Sequence, residues 1–439
     1  MNLPEAFISR TKALLGEEWD SFEQALKEEA PTSIRLNASK MNKLQENMQV
    51  SEVPWASNAY YLSSRPSFTL DPLFHAGCYY VQEASSMYLE QIIKKQVFEA
   101  VKVLDLCAAP GGKSTQLASI LPENSLLVSN EVIRSRSHIL AENVIKWGNP
   151  NTIVTNNDPV NIGKLNDFFD VIVADVPCSG EGMFRKDPNS ISEWSVHNVQ
   201  LCAERQRRII ADVWNSLKEN GLLIYSTCTY NREENEDNIH WICDELGAEI
   251  VENPQRFMLH QTKGEGFFIA AIRKKDKSEN HRRIANYRSS SLQGSLPKQS
   301  ENICAWLNHP NDFTFLSENN SFAAIPSIHI DSYKQIKEQL KVISAGISLG
   351  ENKGKDMLPA HSLALSTSLA LNAFPVWEVD KQTALKYLSK ESFTNLPAHL
   401  PKGYVLVSFQ NHLLGFVKNI GNRANNLYPQ EWRIRMSIS

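Results

Sequence analysis

The chain has 439 residues, room for about three domains at roughly 150 residues each, since a single core rarely grows beyond roughly 250–300 residues. Hydrophobic residues make up 42% and charged residues 21%, which excludes a disordered, collagen-like or coiled-coil chain. Forty-five Lys and Arg against 49 Asp and Glu leave a net charge of −4, so affinity for a phosphate backbone must come from local patches.

No run of apolar residues reaches the ~18 that a membrane span needs, and the first twenty residues lack the apolar core of a secretory signal. The seven cysteines, at 78, 107, 178, 202, 228, 243 and 304, form no CxxC pair. A zinc site or a disulfide framework is therefore not expected, and free thiols in a reducing cytoplasm are. A buried thiol is by default a small apolar side chain, so any chemical role needs a context.

In chain order, residues 1–74 read as a small α/β region. Phe7, Leu14 and Leu15 mark a helical start, residues 31–37 a short strand, and Trp55, Tyr60, Tyr61 and Phe68 a small core. From about 80, apolar residues at 87, 89, 92 and 93 follow a helical spacing. A compact strand at 101–106 leads into a glycine turn. A helix (114–121), a strand (125–129), a helix (134–147) and a strand (152–155) come next. Residues 170–175 are an uninterrupted buried strand, 195–217 a long helix, and 222–226 another buried strand. Residues 266–272 read as an edge strand. Continuously apolar strands alternating with helices predict a parallel sheet covered on both faces, with ligands bound beyond the carboxyl ends of its strands. Residues 273–298 carry eight Lys and Arg against two acids, a basic linker. After 300 the pattern suggests a separate α+β domain, with strands at 404–407 and 413–417.

Three motifs lie at strand ends. The first is Leu104-Asp105-Leu106-Cys107-Ala108-Ala109-Pro110-Gly111-Gly112-Lys113-Ser114-Thr115. A Walker phosphate loop would need glycine where Cys107 stands, and GxGxxG is absent too. What remains is a turn at Gly111 and Gly112 that a ligand can approach closely. Glu131, 20 residues after Gly111, suits a ribose diol, and Asp158 an adenine amino group. A glycine turn without a triphosphate grip, followed by a ribose-binding acid, suits S-adenosylmethionine. The second motif is Asp175-Val176-Pro177-Cys178-Ser179-Gly180-Glu181-Gly182-Met183-Phe184-Arg185-Lys186. The third is Tyr225-Ser226-Thr227-Cys228-Thr229-Tyr230, after which Asn231 is expected to cap a helix beginning with Glu233 and Glu234. Two strand-end loops thus each present one cysteine.

This set resembles the Sun-type family of RNA cytosine-5 methyltransferases, strongly over about 75–275 and more weakly at Ser33-Ile34-Arg35-Leu36-Asn37. The strings at 359–365 and 421–429 resemble the bacterial RsmF-like subgroup acting on small-subunit ribosomal RNA. Val176 stands where many members have a second proline. The resemblance implies a Rossmann-like class I methyltransferase domain at 75–275, an N-terminal RNA-binding α/β region at 1–74, a basic linker at 276–300 and a C-terminal α+β, PUA-like RNA-binding domain at 301–439. It implies S-adenosylmethionine held by Cys107, Ala108, Ala109, Pro110, Gly111, Gly112, Lys113, Glu131, Asp158 and Asp175, and no metal. It assigns Cys228 as nucleophile, Cys178 to product release and Asp175 to the cytosine edge at ring nitrogen 3, with Lys113 in the catalytic set. From the residues alone, either thiol could attack. Arg185, Lys186, Arg205, Arg207 and Arg208 could hold the RNA backbone, and the partner is ribosomal RNA or the small subunit. A transfer-RNA cytosine-5 methyltransferase and a non-catalytic assembly factor are the alternatives. The extended tail disfavours the first, and the complete acid, glycine and cysteine set disfavours the second.

Overall fold

A computed structural model describes residues 1–43, 49–276, 301–354, 356–394 and 396–437. Most of the basic linker thus lies outside the described residues. An N-terminal sheet joins β1 (Ser33–Leu36), β2 (Gln49–Glu52), β3 (Ala59–Leu62) and β4 (Tyr79–Val81) in the order β2-β3-β1-β4. The central strands follow: β5 (Lys102–Asp105), β6 (Leu126–Asn130), β7 (Thr152–Thr155), β8 (Phe169–Asp175), β9 (Leu217–Thr227), β10 (Ala248–Phe257) and β11 (Phe267–Lys274). The C-terminal strands are β12 (Phe313–Glu318), β13 (Ser321–Pro326), β14 (Val342–Ala345), β15 (Ile347–Lys353), β16 (Asp356–Pro359), β17 (Val376–Glu378), β18 (Gly403–Phe409), β19 (His412–Asn419) and β20 (Ala424–Asn426).

The central sheet runs β10-β11-β9-β8-β5-β6-β7-β14. Strands β5 to β9 are parallel, while β11, β10 and β14 are antiparallel to their neighbours. Strand order reverses at β5, which pairs with both β6 and β8. In such sheets the ligand crevice opens at this switch point, above the carboxyl ends. The sequence explains the layering. Strand β8 is buried on both faces, so it reads as one apolar run instead of alternating. The helix Val196–Val213 starts where Ser195 Oγ accepts from Asn198 N at 3.0 Å. It buries Val199, Cys202, Ala203, Gln206, Ile209, Ile210 and Val213, a helical stripe of which Ile209, Ile210 and Val213 join the core of the sheet.

Two expectations need correction. Residues 266–272 do not form an edge: β11 lies between β9 and β10. The true edge, β10, contains Asn253 and Pro254 and is largely solvent-facing. Charge and proline are tolerated on edge strands, and they hid it from a hydrophobic pattern. Nor does the C-terminal region stand apart. Strand β14 extends the central sheet beside β7, and Ile336 and Leu340 enter its core. The sheet β17-β18-β19-β20 shares a core with the N-terminal sheet, in which Ile34, Leu36 and Tyr79 meet Val405, Leu414 and Tyr428. No helix among the described residues is long and apolar enough to cross a membrane.

Candidate active site

The glycine turn follows β5. Ala108 N donates to Asn130 O at 2.8 Å, tying the turn to β6. Gly111 has φ +119°, and a Cβ there would lie 3.3 Å from Asn143 Cβ and 3.4 Å from Leu140 Cδ1. A side chain at this position is strained and crowded. Asn143 Nδ2 donates to Pro110 O and Arg136 Nη2 to Ala109 O, both at 2.8 Å. The helix Gly112–Ile120 starts directly after Gly111. Behind it, Asp105 is fully buried. Its Oδ2 accepts from Ser114 Oγ at 2.6 Å, while its Oδ1 has no partner among the described residues. Burial pushes the Asp105 carboxyl up to about 7. Cys107 is also raised by burial, an inert thiol whose place in the turn is structural.

Glu131 sits one residue beyond β6 and is buried. Its Oε1 accepts from Ile133 N at 2.9 Å, and its Oε2 lies 3.5 Å from Arg136 Nη1. Asp158 is exposed beyond β7. Its Oδ1 accepts from Val160 N at 3.1 Å, capping the turn Pro159–Ile162. A turn shaped for glycine, a buried acceptor without a partner and acids beyond the next two strands fit the cofactor expected from the sequence. Gly111 and Gly112 would let it approach the backbone, with Glu131 and Asp158 beside it.

The two cysteines meet. Strands β8 and β9 are parallel neighbours with Asp175 opposite Ser226, so their loops leave side by side. Cys178 Sγ lies 3.1 Å from Cys228 Sγ, and Cys228 N donates to Cys178 Sγ at 3.4 Å. The hydrogen bond with Cys228, then burial, hold the Cys178 thiol well above its ordinary pKa. Asp175 Oδ1 accepts from Ser226 Oγ at 2.8 Å, and its Oδ2 pairs with Lys113 Nζ at 2.8 Å. Burial works against the Lys113 charge, but Asp175 outweighs it and the pKa is raised. One constellation thus joins the glycine-turn helix to both cysteine loops.

Two acids hold the loops together: Glu181, to which the sequence reading gave no role, and Glu234, expected only in the first turn of a helix. Glu181 Oε2 accepts from Thr229 Oγ1 (2.6 Å), Tyr230 N (2.8 Å) and Asn231 N (2.9 Å), and its Oε1 from Trp194 Nε1 (2.9 Å). In return, Glu234 Oε2 accepts from Ser179 N (3.0 Å) and Gln206 Nε2 (2.7 Å). Each loop supplies a carboxylate to the other. Glycine and acid alternate at 180–182 in an otherwise apolar stretch, the one hint in the sequence. The helix expected after Asn231 begins only at Glu236. Asn231 Oδ1 accepts from Glu234 N at 2.9 Å, but it caps an isolated turn, because the Glu234 side chain is drawn across to Ser179.

Arg185 is committed to partners within the protein. Its side chain is only 5% exposed, donates to Glu265, Gly264 O and Ala25 O, and so holds the loop in place. Arg207 is also engaged, with Nε donating to Asn238 Oδ1 at 2.7 Å. Arg205 and Arg208 are exposed. Lys186 lines a cleft of about 1070 Å³ with Lys27, Arg65 and Lys263, and Arg185 lies in the same wall. Arg65 and Lys263 pair with no carboxylate among the described residues; they lie over the Phe68 and Tyr61 rings at 5.5 and 4.5 Å. Gly264 forms part of the cleft wall. Two residues on, Gly266 packs against Gly182, whose N donates to Cys228 O at 2.9 Å. Among the described residues no group of three His, Cys, Asp or Glu side chains could hold a metal ion.

Comparison with known proteins bears on the family and the fold. Residues 92–273 match the family model "16S rRNA methyltransferase RsmB/F". Residues 3–84 match the N-terminal domain of 16S rRNA methyltransferase RsmF, and 374–434 the methyltransferase RsmF PUA domain. "Ribosomal RNA small subunit methyltransferase F" of Aliivibrio salmonicida is 29% identical, over 98% of this chain and 97% of its own. The protein of the same name from Vibrio cholerae is 28% identical, over 98% of both chains. Among solved structures, a methyltransferase homolog from Pyrococcus horikoshii superposes with a TM-score of 0.54 at 29% identity, covering 62% of this chain and 95% of that one. NSun6 from the same organism, solved with SFG, has a TM-score of 0.54 at 20% identity, covers 62% of this chain and 98% of that one, and supports the fold. With its N-terminal, catalytic and PUA segments each matched in order, the chain belongs to the RsmB/F family of 16S rRNA methyltransferases.

Proposed function

We propose that this protein methylates carbon 5 of a cytosine in 16S ribosomal RNA through a transient cysteine–pyrimidine bond. The observation that carries the mechanism is the pair of sulfurs 3.1 Å apart beyond the carboxyl ends of β8 and β9, beside the Lys113–Asp175 ion pair. Residues 75–275 carry the chemistry, while 1–74 and 301–439 engage the RNA.

Cytosine carbon 5 is a weak nucleophile. Addition of the Cys228 thiolate to ring carbon 6 forms a carbon–sulfur bond and moves the double-bond electrons toward carbon 5. Cys178, whose thiol is pushed up by its hydrogen bond to Cys228 and by burial, lies beside the attacking sulfur at 3.1 Å. Asp175 holds the base edge at ring nitrogen 3 through the proton that this nitrogen takes up as the sulfur adds. Lys113, kept charged by Asp175, offsets the negative charge that builds on the ring. S-adenosylmethionine, when bound at the glycine turn, supplies an electrophilic methyl group. Once carbon 5 carries the methyl group, its proton passes to water, the ring double bond re-forms and the carbon–sulfur bond breaks, so that the Cys228 sulfur leaves as a thiolate; Cys178, hydrogen-bonded to that sulfur, assists this release.

A base paired in a duplex cannot reach the sulfur, so the target is unpaired or flipped out, at a cost of about a few kcal/mol. The cleft bearing Lys27, Arg65, Lys186 and Lys263 holds the neighbouring backbone. The reaction takes place in the cytoplasm, where thiols stay reduced. Bisulfite mapping of ribosomal RNA from cells with and without the protein tests the reading. Loss of one 5-methylcytosine in 16S RNA is expected. If every mark is retained, the activity is refuted.

A further inference from the structure

The cofactor turn is held from behind by the N-terminal unit. Arg35, on β1, is 1% exposed. Its Nε donates to Gln82 Oε1 at 3.0 Å, and its Nη2 to Thr115 Oγ1 at 2.7 Å and Gly112 O at 3.3 Å. The guanidinium lies over the Trp147 ring at 4.6 Å, and Nη1 is buried without a partner among the described residues. Among the described residues no carboxylate hydrogen-bonds it. Burying a cation without a hydrogen-bonded carboxylate carries a desolvation cost, so stability alone does not account for a guanidinium at this place. What an apolar residue cannot do is grip a carbonyl and a hydroxyl in the first turn of the helix Gly112–Ile120. That turn also carries Lys113.

The same segment holds the second helix beside the turn. Asn37 Nδ2 donates to Trp147 O at 2.9 Å, and Lys40 Nζ to Lys146 O at 2.6 Å. These carbonyls end the helix Arg134–Trp147, which presents Leu140 and Asn143 to Gly111. Residues 35–40 therefore span both helices that frame the glycine turn. On this basis we propose that Arg35 is a positioning residue of the cofactor site: the N-terminal unit, besides meeting RNA, sets the shape of the turn that binds S-adenosylmethionine.

The inference rests on reading that turn as the cofactor site. The test is calorimetric titration of the full chain with S-adenosylhomocysteine, alongside the KM for ribosomal RNA. Arg35→Met should raise the cofactor Kd about tenfold, roughly the size of one charged hydrogen bond, and leave the RNA KM within about twofold. Arg35→Lys, with one donor head instead of a fork, should recover part of the affinity. A merely structural role would lower the melting temperature and the active fraction without changing Kd per folded molecule. Arg35→Met that folds and binds the cofactor like wild type overturns the inference. If Arg35→Met does not fold, Thr115→Val decides: a Kd raised about threefold or more supports positioning, and an unchanged Kd overturns it. Failure of the wild-type chain to bind S-adenosylhomocysteine would instead overturn the cofactor reading itself.

Discussion

Replacing Glu181 by glutamine leaves the shape of the side chain but not its acceptors. Oε2 now takes three bonds from the Cys228 loop, and Oε1 takes one from Trp194. An amide offers one oxygen and one NH2. With the oxygen toward the loop, the NH2 meets the indole N–H of Trp194, and a buried unsatisfied donor costs about 1–3 kcal/mol. The three loop bonds also change from charged to neutral, weakening each by on the order of 1 kcal/mol. The lower cost of burying an amide offsets part of this. The net loss for Glu181→Gln is about 2–4 kcal/mol. Urea unfolding should show a lower midpoint with an unchanged slope. Because the lost bonds hold the Cys228 loop, kcat should also fall by about tenfold or more while cofactor Kd stays constant. A variant within about 0.5 kcal/mol of wild type that retains full kcat would refute the bracing role.

Other substitutions separate the cofactor from the RNA. Gly111→Ala forces a side chain into a left-handed turn against Asn143, at a strain of about 1–3 kcal/mol; cofactor affinity should fall about tenfold, and wild-type affinity would show that the turn is not in contact with the ligand. Arg65→Gln combined with Lys263→Gln should weaken RNA binding and flatten its log–log salt slope by about 1.4, at about 0.7 per phosphate contact on a single strand. An unchanged slope would remove the cleft from the RNA path. Cofactor titration of that double variant should match wild type.

Much of the fold was legible because parallel strands buried on both faces are short apolar runs. The central strands β5 to β9 and the helix Arg134–Trp147 follow from that pattern. Strand β10 was not legible, because an edge strand facing solvent has no apolar run to reveal it. Strand β14 is four half-buried residues contributed from another part of the chain, and no local pattern says which sheet a strand will join. At the site, the glycine turn and both cysteine loops were readable from their spacing. The cross-brace of Glu181 and Glu234 was not, because a buried acid and a solvated one look alike in sequence. Arg185 shows the same limit: a cation beside a catalytic loop reads as a ligand-binding group, and only the structure pairs it with Glu265.

The covalent step is the core of the mechanism, and a denaturing gel tests it directly. Cys178→Ala, incubated with unmethylated small-subunit RNA and S-adenosylmethionine, should accumulate an RNA–protein adduct that survives denaturation, because its release is impaired. Cys228→Ala should form none. An adduct trapped by Cys228→Ala, or full methylation with Cys228 absent, would contradict the mechanism.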